Sequence, residues 1–580
     1  MSKGSIARRA IILAAGGALA LSACGGGSST PAASGGPAGG GKPTKGGTIN
    51  VLTLEKQFLH LDPQRNYTGV DLGFANGYLQ RTLTAYAFGK GDAGTKLVPD
   101  LATDTGTPNK DATQWSFTLR DGATFQDGSP ITCADVKYGV SRTFATDVIT
   151  DGPTYAISML DIPKDKDGNS VYKGPYVTKG NDTAAFDKAV TCSSDNKTIT
   201  FNLAFPVADF NYTVTLLSFS PVPKAKDDGE KYDDHPVSSG PYKISQYAKG
   251  SRLVLDRNTN WKQSSDPYRK AYPDKIVVTF GLDSSAIAQR IMADAGEDQT
   301  AVTLEQLEAA SLATVFNNPR YADRRFNEYD PYVRYIAINT SKVTDLKQRQ
   351  AIAAALDRKQ LLTVRGGTFA GDLADGIVKP NLPLDYQPTG MWTTLLGKKI
   401  PPTGDPAYAK QLIAQSGKPM PKLTFDYSQS PTNDKLAGSV VSSLARAGIT
   451  VTPNPIEAGQ YYGVVLDPAK EHELAYAGWG PDWLNASTVV PELLTPGGGF
   501  NLSRYDNKAF NAGVAKAKAT VDRTAQGKLW AQLNTQAMAD VPVIPLQFER
   551  TQYLVGSKVG GAFIWAPYGG MPFGNLWVKS

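Results

Sequence analysis

Three stretches of this 580-residue chain have the spacing of ligand-binding loops, and each lacks the residue that would do the chemistry. "GKGDAG" from Gly89 has the glycines of a dinucleotide-binding turn, but Pro99 interrupts the helix such a turn must feed. "GPAGGGKP" from Gly36 is spaced like a phosphate loop, yet Pro43 stands where a hydroxyl residue would hold magnesium. "DKDGNS" from Asp165 opens like a calcium loop, but Ser170 replaces the glycine and Tyr176 the bidentate glutamate. "EHELAY" at Glu471 lacks the second histidine of a zinc-hydrolase helix, and no GxSxG elbow is present. With three histidines in all, His60, His235 and His472, a histidine-centred acid or base has little support. We read no enzyme, no metal site and no cofactor from these residues.

The three cysteines divide into two kinds. Cys24 closes the apolar or small-residue run "AIILAAGGALALSA", which follows the basic residues Lys3, Arg8 and Arg9. That is the pattern of a secretory signal, and the run is too short to span a bilayer. Leu21-Ser22-Ala23-Cys24 resembles the bacterial lipobox, so residues 1–23 are predicted to be removed and Cys24 to carry lipid. Arg8-Arg9 also resembles a twin-arginine signal, although Ala7 and Ile11 depart from it, and the export route stays open. Cys133 and Cys192 are then left in an oxidising compartment, without a CxxC, and are predicted to form a disulfide.

Residues 24–45 are Gly, Ser, Ala, Pro and Thr with little else and can bury nothing; as a flexible coil they reach roughly 25 Å. Over all 580 residues the chain has an ordinary globular balance, 41% hydrophobic and 20% charged. The net charge of +6 falls to +3 once the three basic leader residues are gone, too mild to argue for nucleic acid.

The elements follow from periodicity. Thr48 to Leu54 alternates as a strand, and Trp115, Phe117 and Leu119 mark another. Ala134 to Phe144 reads as a helix capped by Thr132. "DKIVVTF" is a strand, "SSAIAQRIMADAG" a helix after Gly281, and Leu346, Ile352, Leu356 and Leu361 are spaced for one packed helix.

Five tracts in order carry a resemblance: "LVPDLATDTG" with "TQWSFTLRDGATFQDGSPITCADVKYGVSRTF", "SSGPYKISQYAKGSRLVLDRNTNW" at Ser238, "RYIAINTSKVTDLKQRQAIAAALDRKQLL" at Arg334, "AYAGWGPDW" at Ala475 and "DVPVIPLQFE" at Asp540. Together they resemble the extracellular solute-binding proteins, family 5, that serve peptide ABC importers. The resemblance covers the chain from Gly46 to Ser580.

It implies an α/β, two-lobed fold of the periplasmic-binding-protein type with a domain inserted in the first lobe. On that pattern the first-lobe base takes 46–82, 198–282 and 541–580, the insertion 83–197, and the second lobe 283–540. The chain would cross near Gly281 to Asp283 and return near Val541.

The resemblance also implies a monomer on the outer face of the bacterial membrane that hands peptides to a permease and its ATPase. Relatives with the same fold bind oligosaccharides, metal chelates, haem or opines, so the solute is a separate question. A lipid-tethered enzyme or a sensor subunit is the reading from another class.

Residue by residue, the resemblance sets Asp482 against a ligand α-ammonium group. It puts Tyr476, Gly478 and Gly480 along the segment that pairs with the ligand main chain, and makes Trp479 and Trp483 pocket walls. Trp483 stands where the family has a tyrosine, and Leu484-Asn485-Ala486 replaces its proline motif. From residues alone Asp482 is equally a helix N-cap before "WLNASTVV". Arg334, Tyr335 and Asn339 read as scaffold, an apolar strand and its end.

Overall fold

The computed structural model describes residues 41–580. Cys24, the signal and most of the linker lie outside them. Thr48–Leu52 is the second strand of a five-stranded sheet, parallel to Lys275–Thr279 on one side and to the edge strand Ala301–Thr303 on the other. Arg252–Arg257 and Tyr242–Ala248 extend it antiparallel. Ile49 and Val51 are fully buried, as strands flanked by parallel neighbours require. Phe74 and Tyr78, from the helix Gly69–Tyr78, pack edge-on beneath this sheet. The last strand, Trp577–Val578, returns to the chain's beginning, where Thr44 Oγ1 donates to the Val578 carbonyl at 2.7 Å.

The crossing predicted at Gly281 to Asp283 is corrected by Ala301–Thr303. A parallel neighbour needs a crossover, and the helix Ser284–Ala293 supplies it, burying Ile287 and Ile291 against Leu52 and Leu554. Residues 283–303 therefore continue the first sheet instead of starting a second lobe.

A four-stranded antiparallel sheet forms the insertion, in the order Thr107–Pro108, Gln114–Thr118, Thr198–Asn202, Val190–Cys192. Trp115 and Phe117 point inward and meet Phe201 and Phe210 in the core. The helix Cys133–Arg142 begins in a capping box, with the Thr132 N–H donating to Asp135 Oδ2 at 2.8 Å. Cys133 is disulfide-bonded to Cys192, with Cα atoms 5.8 Å apart. The predicted boundary at 197 falls in the hairpin that Thr198–Asn202 completes, so the insertion runs on, its core reaching Val237. Arg142 pairs with Asp62 of the base, both wholly buried, which fixes the insertion to the first sheet.

The six-stranded sheet is mixed, in the order Gly371–Leu373, Val543–Leu554, Arg325–Ile338, Leu474–Trp479, Leu423–Ser428, Val451–Ile456. Its two long strands pair antiparallel from Arg325 opposite Leu554 to Ala337 opposite Val543, with an irregularity between Tyr329 and Val333. The predicted return at Val541 is corrected likewise: Val543–Leu554 stays in this sheet. Only afterwards does the chain rejoin the first, where Val555 N donates to Arg324 O at 3.0 Å and Gly556 N to Ala301 O at 2.8 Å. Both crossings run through one ribbon.

The single helix predicted from Leu346 is two, Leu346–Ala355 and Arg358–Val364, because Asp357 caps the second by accepting from Gln360 N. Among the described residues no helix is long and apolar enough to cross a membrane.

Candidate functional site

Leu474–Trp479 runs between two strands of the six-stranded sheet, but its neighbours are unequal. Arg325–Ile338 accompanies it along its full length, whereas Leu423–Ser428 pairs with Leu474 and Ala475 only. From Tyr476 onward one edge has no neighbouring strand.

Asp482 lies just beyond that open edge and is half-buried. Tyr67 Oη donates to its Oδ1 at 2.6 Å, and Tyr155 Oη donates to its Oδ2. Tyr67 precedes the first helix of the base, Tyr155 belongs to the insertion, and Asp482 follows the second sheet. One carboxylate thus joins all three parts. Burial pushes its pKa up to about 6, against the two hydroxyl bonds that favour the charged form, and the Glu492 charge adds to the rise. The N-cap alternative fails on geometry. The short turn Ala486–Thr488 is capped by Asn485, whose Oδ1 accepts from Ser487 N at 3.0 Å.

The other residues divide between site and support. Trp479 is half-buried against Phe500, ring centroids 4.4 Å apart, and donates Nε1–H to Thr488 O at 2.7 Å. Trp483 is buried behind Tyr155, ring centroids 4.8 Å apart, and donates to Asp209 Oδ2 at 2.8 Å. It holds Tyr155 in place more than it offers a wall.

Gly478 faces Arg334 across the strand pair, and a Cβ there would lie 2.4 Å from Arg334 Nη1. At Gly480 a Cβ would come to 3.1 Å from the Tyr332 ring. These two glycines let an arginine and a tyrosine lie over the strand. Tyr476 is 5% exposed; its carbonyl accepts from Tyr461 Oη at 2.5 Å, and its hydroxyl lies beside the Arg365 guanidinium.

Arg334 is more than scaffold. A cavity of about 390 Å³ opens between the base and the six-stranded sheet, with Arg334, Arg365, Glu549 and Tyr332 on one side and Val70 and Glu305 on the other. Arg334 Nε donates to Glu549 Oε2 at 2.8 Å, and Arg365 Nη2 donates to the other carboxylate oxygen. Tyr335 is fully buried, and Asn339 donates to Glu471 at 2.5 Å, so those two do serve the scaffold.

Sequence reasoning missed Tyr67, Tyr155, Tyr332, Arg365 and Glu549. Only Glu549 left a trace, an acid directly after the alternating apolar residues Ile544, Leu546 and Phe548. Among the described residues no group of three or more His, Cys, Asp or Glu side chains is arranged to hold a metal.

Comparison with known proteins agrees with this architecture. The sequence profile described as bacterial extracellular solute-binding proteins, family 5 Middle, matches residues 96–501. The periplasmic oligopeptide-binding protein OppA of Salmonella typhimurium strain LT2 is 26% identical over 502 residues, covering 81% of this chain and 82% of that protein. The dipeptide-binding protein DppE of Bacillus subtilis is 23% identical over 472 residues, covering 78% and 79%. Among solved structures, the clavulanic acid biosynthesis oligopeptide binding protein 2 superposes with a TM-score of 0.82 at 27% identity, covering 93% of this chain and 96% of that one. These relatives are binding proteins, and the fold is the periplasmic-binding-protein type. The chain belongs to the bacterial extracellular solute-binding proteins, family 5.

Proposed function

We propose that this protein captures peptides outside the cell membrane and delivers them to the permease of an ABC importer. The observation that carries the reading is the Asp482 carboxylate, which accepts hydroxyl donors from the base and the insertion at the end of an open strand edge. A ligand α-ammonium group there would replace two neutral donors with a charged one and strengthen the contact. The free edge from Tyr476 to Trp479 suits a ligand main chain lying as an added strand. A solute bound there touches both sheets, so binding shifts the crossing ribbon toward a closed state that a permease can recognise. Relatives named as oligopeptide- and dipeptide-binding proteins support the solute class.

In the same reading Cys24 carries lipid, and the linker keeps the body, acting as a monomer without a cofactor, near its permease on the outer face of the membrane. Mass spectrometry of the mature amino terminus tests the lipid: an unmodified Cys24 removes it.

The solute is tested by calorimetry on the soluble body with free-amine and N-acetylated peptides. N-acetylation and Asp482→Asn are each expected to weaken binding by about 3 kcal/mol, since each removes one partner of a half-buried ion pair. Equal affinity for acetylated peptides, or a preference for a sugar or opine, would overturn the peptide reading.

A further inference from the structure

We infer that Asp209 is a latch: its carboxylate bonds across the cleft to Trp483 and Ser487 whether or not a ligand is present, and so sets how tightly every solute is held without choosing among them. This rests on the closure described above, in which a solute is held once both sides of the cleft meet it.

Asp209 is placed for a local task that it does not perform. It stands at the N-cap of the short helix Phe210–Thr213, where an aspartate commonly accepts from a backbone N–H of the first turn, yet its side chain caps nothing. The carboxylate turns away from its own element instead. One oxygen, Oδ2, accepts from Trp483 Nε1 at 2.8 Å and from Ser487 Oγ. Both donors follow the six-stranded sheet, 274 and 278 positions along the chain, while Asp209 belongs to the insertion. All three residues are buried, with Asp209 only 4% exposed. A carboxylate taken out of water needs partners, and these come from the opposite side of the cleft. Arg523, whose guanidinium the Asp209 charge stabilises, stands on that opposite side as well, bound to Asp385.

Neighbouring bonds run in the same direction. Ala208 N donates to the Lys518 carbonyl at 3.1 Å, and Leu484 N donates to Tyr86 Oη at 2.9 Å. The insertion thus grips residues 483–487 together with the end of the helix Lys508–Lys518. Trp483 also packs edge-on against Tyr155, whose hydroxyl reaches Asp482, so the latch is joined to the ligand site through protein side chains alone.

These bonds hold only while the two sides are together, and on opening water takes each group. The exchange is worth a modest amount even for a charged acceptor, which suits a tuning role. A ligand that needs the closed state binds in proportion to the fraction of protein already closed. A change in the latch therefore multiplies every affinity by one factor.

The experiment measures tri-alanine and tri-lysine by calorimetry on the wild type, Asp209→Ala, Asp209→Asn and Ser487→Ala, with small-angle X-ray scattering of each unliganded protein. Asp209→Ala is expected to weaken both peptides about tenfold, to leave their ratio unchanged and to raise the unliganded radius of gyration. Asp209→Asn keeps an acceptor and should recover most of the loss; Ser487→Ala, made on the opposite side, should reproduce part of it. If Asp209→Ala weakens one peptide and spares the other, Asp209 chooses among ligands and the latch is overturned. If the affinities and the radius all keep their wild-type values, it is overturned as well. If neither peptide binds the wild type, the peptide reading falls, and the scattering of the unliganded variants still decides the latch.

Discussion

Lys379 Nζ lies 2.8 Å from Asp330 Oδ1, at the irregularity in the pairing of the two long strands Arg325–Ile338 and Val543–Leu554. The same ammonium group is within hydrogen-bonding distance of the carbonyls of Asp330, Tyr332 and Glu549, so it ties both crossing strands together from a site only 2% exposed. Replacing it with methionine leaves the Asp330 carboxylate buried and unpaired. Lys379→Met is therefore expected to cost about 3 kcal/mol in urea unfolding, with Lys379→Met/Asp330→Asn recovering much of the loss. A variant as stable as the wild type would show that the ribbon holds its shape without this tie.

Ligand binding should depend on pH through Asp482. The free carboxyl titrates at about 6 because it is buried, so at lower pH it is neutral and offers an ammonium group no charge. Between pH 7 and pH 5 the affinity for a free-amine peptide should fall about tenfold, and in Asp482→Asn it should stay flat. Calorimetry across that range measures both.

Asp71 points the other way, toward stability. Burial, with help from the Glu55 and Glu305 charges, raises its pKa to about 7. Because the folded value lies above the unfolded one, the folded state holds this proton more tightly. That stability is fully present below about pH 4 and is lost as pH rises through 7. Asp71→Asn should therefore raise the melting temperature at pH 8, by the equivalent of about 2 kcal/mol, and leave it unchanged at pH 4. Thermal unfolding at the two pH values decides.

The disulfide closes a loop of about 60 residues, which the chain-entropy model values at about 4 kcal/mol. The paired change Cys133→Ser/Cys192→Ser should lower denaturant stability by about that amount, and a reducing agent should reproduce the loss in the wild type.

How much of this was legible depended on how far apart the partners lie in the chain. The Thr132 capping box and the alternation of Trp115 and Phe117 are local, and the sequence shows them directly. Asp482 could be singled out by resemblance, but its hydroxyl partners are 415 and 327 positions away and no spacing announces them. Arg334 looks like scaffold until Glu549, 215 positions on, comes beside it. The first crossing was misplaced for a related reason. Strand Ala301–Thr303 is only three residues long, too short for periodicity to mark, and which sheet it joins is decided by its pairing with Asn50–Leu52. Trp483 has the same limit: the sequence marks an aromatic residue beside a motif, but not that it lies buried behind Tyr155 and donates to Asp209, 274 positions away.

The bond from Thr44 to Val578 has a practical meaning for anyone who would rewire or label this protein. It brings the start of the folded body together with its final strand, which pairs with Val559–Gly560 beside the first sheet. A short bridge could join them and new ends be opened in a distant surface loop, a circular permutation that leaves both sheets intact. A fluorophore fused after Ser580 would sit close to Thr44, on the side of the body where the folded chain begins and ends.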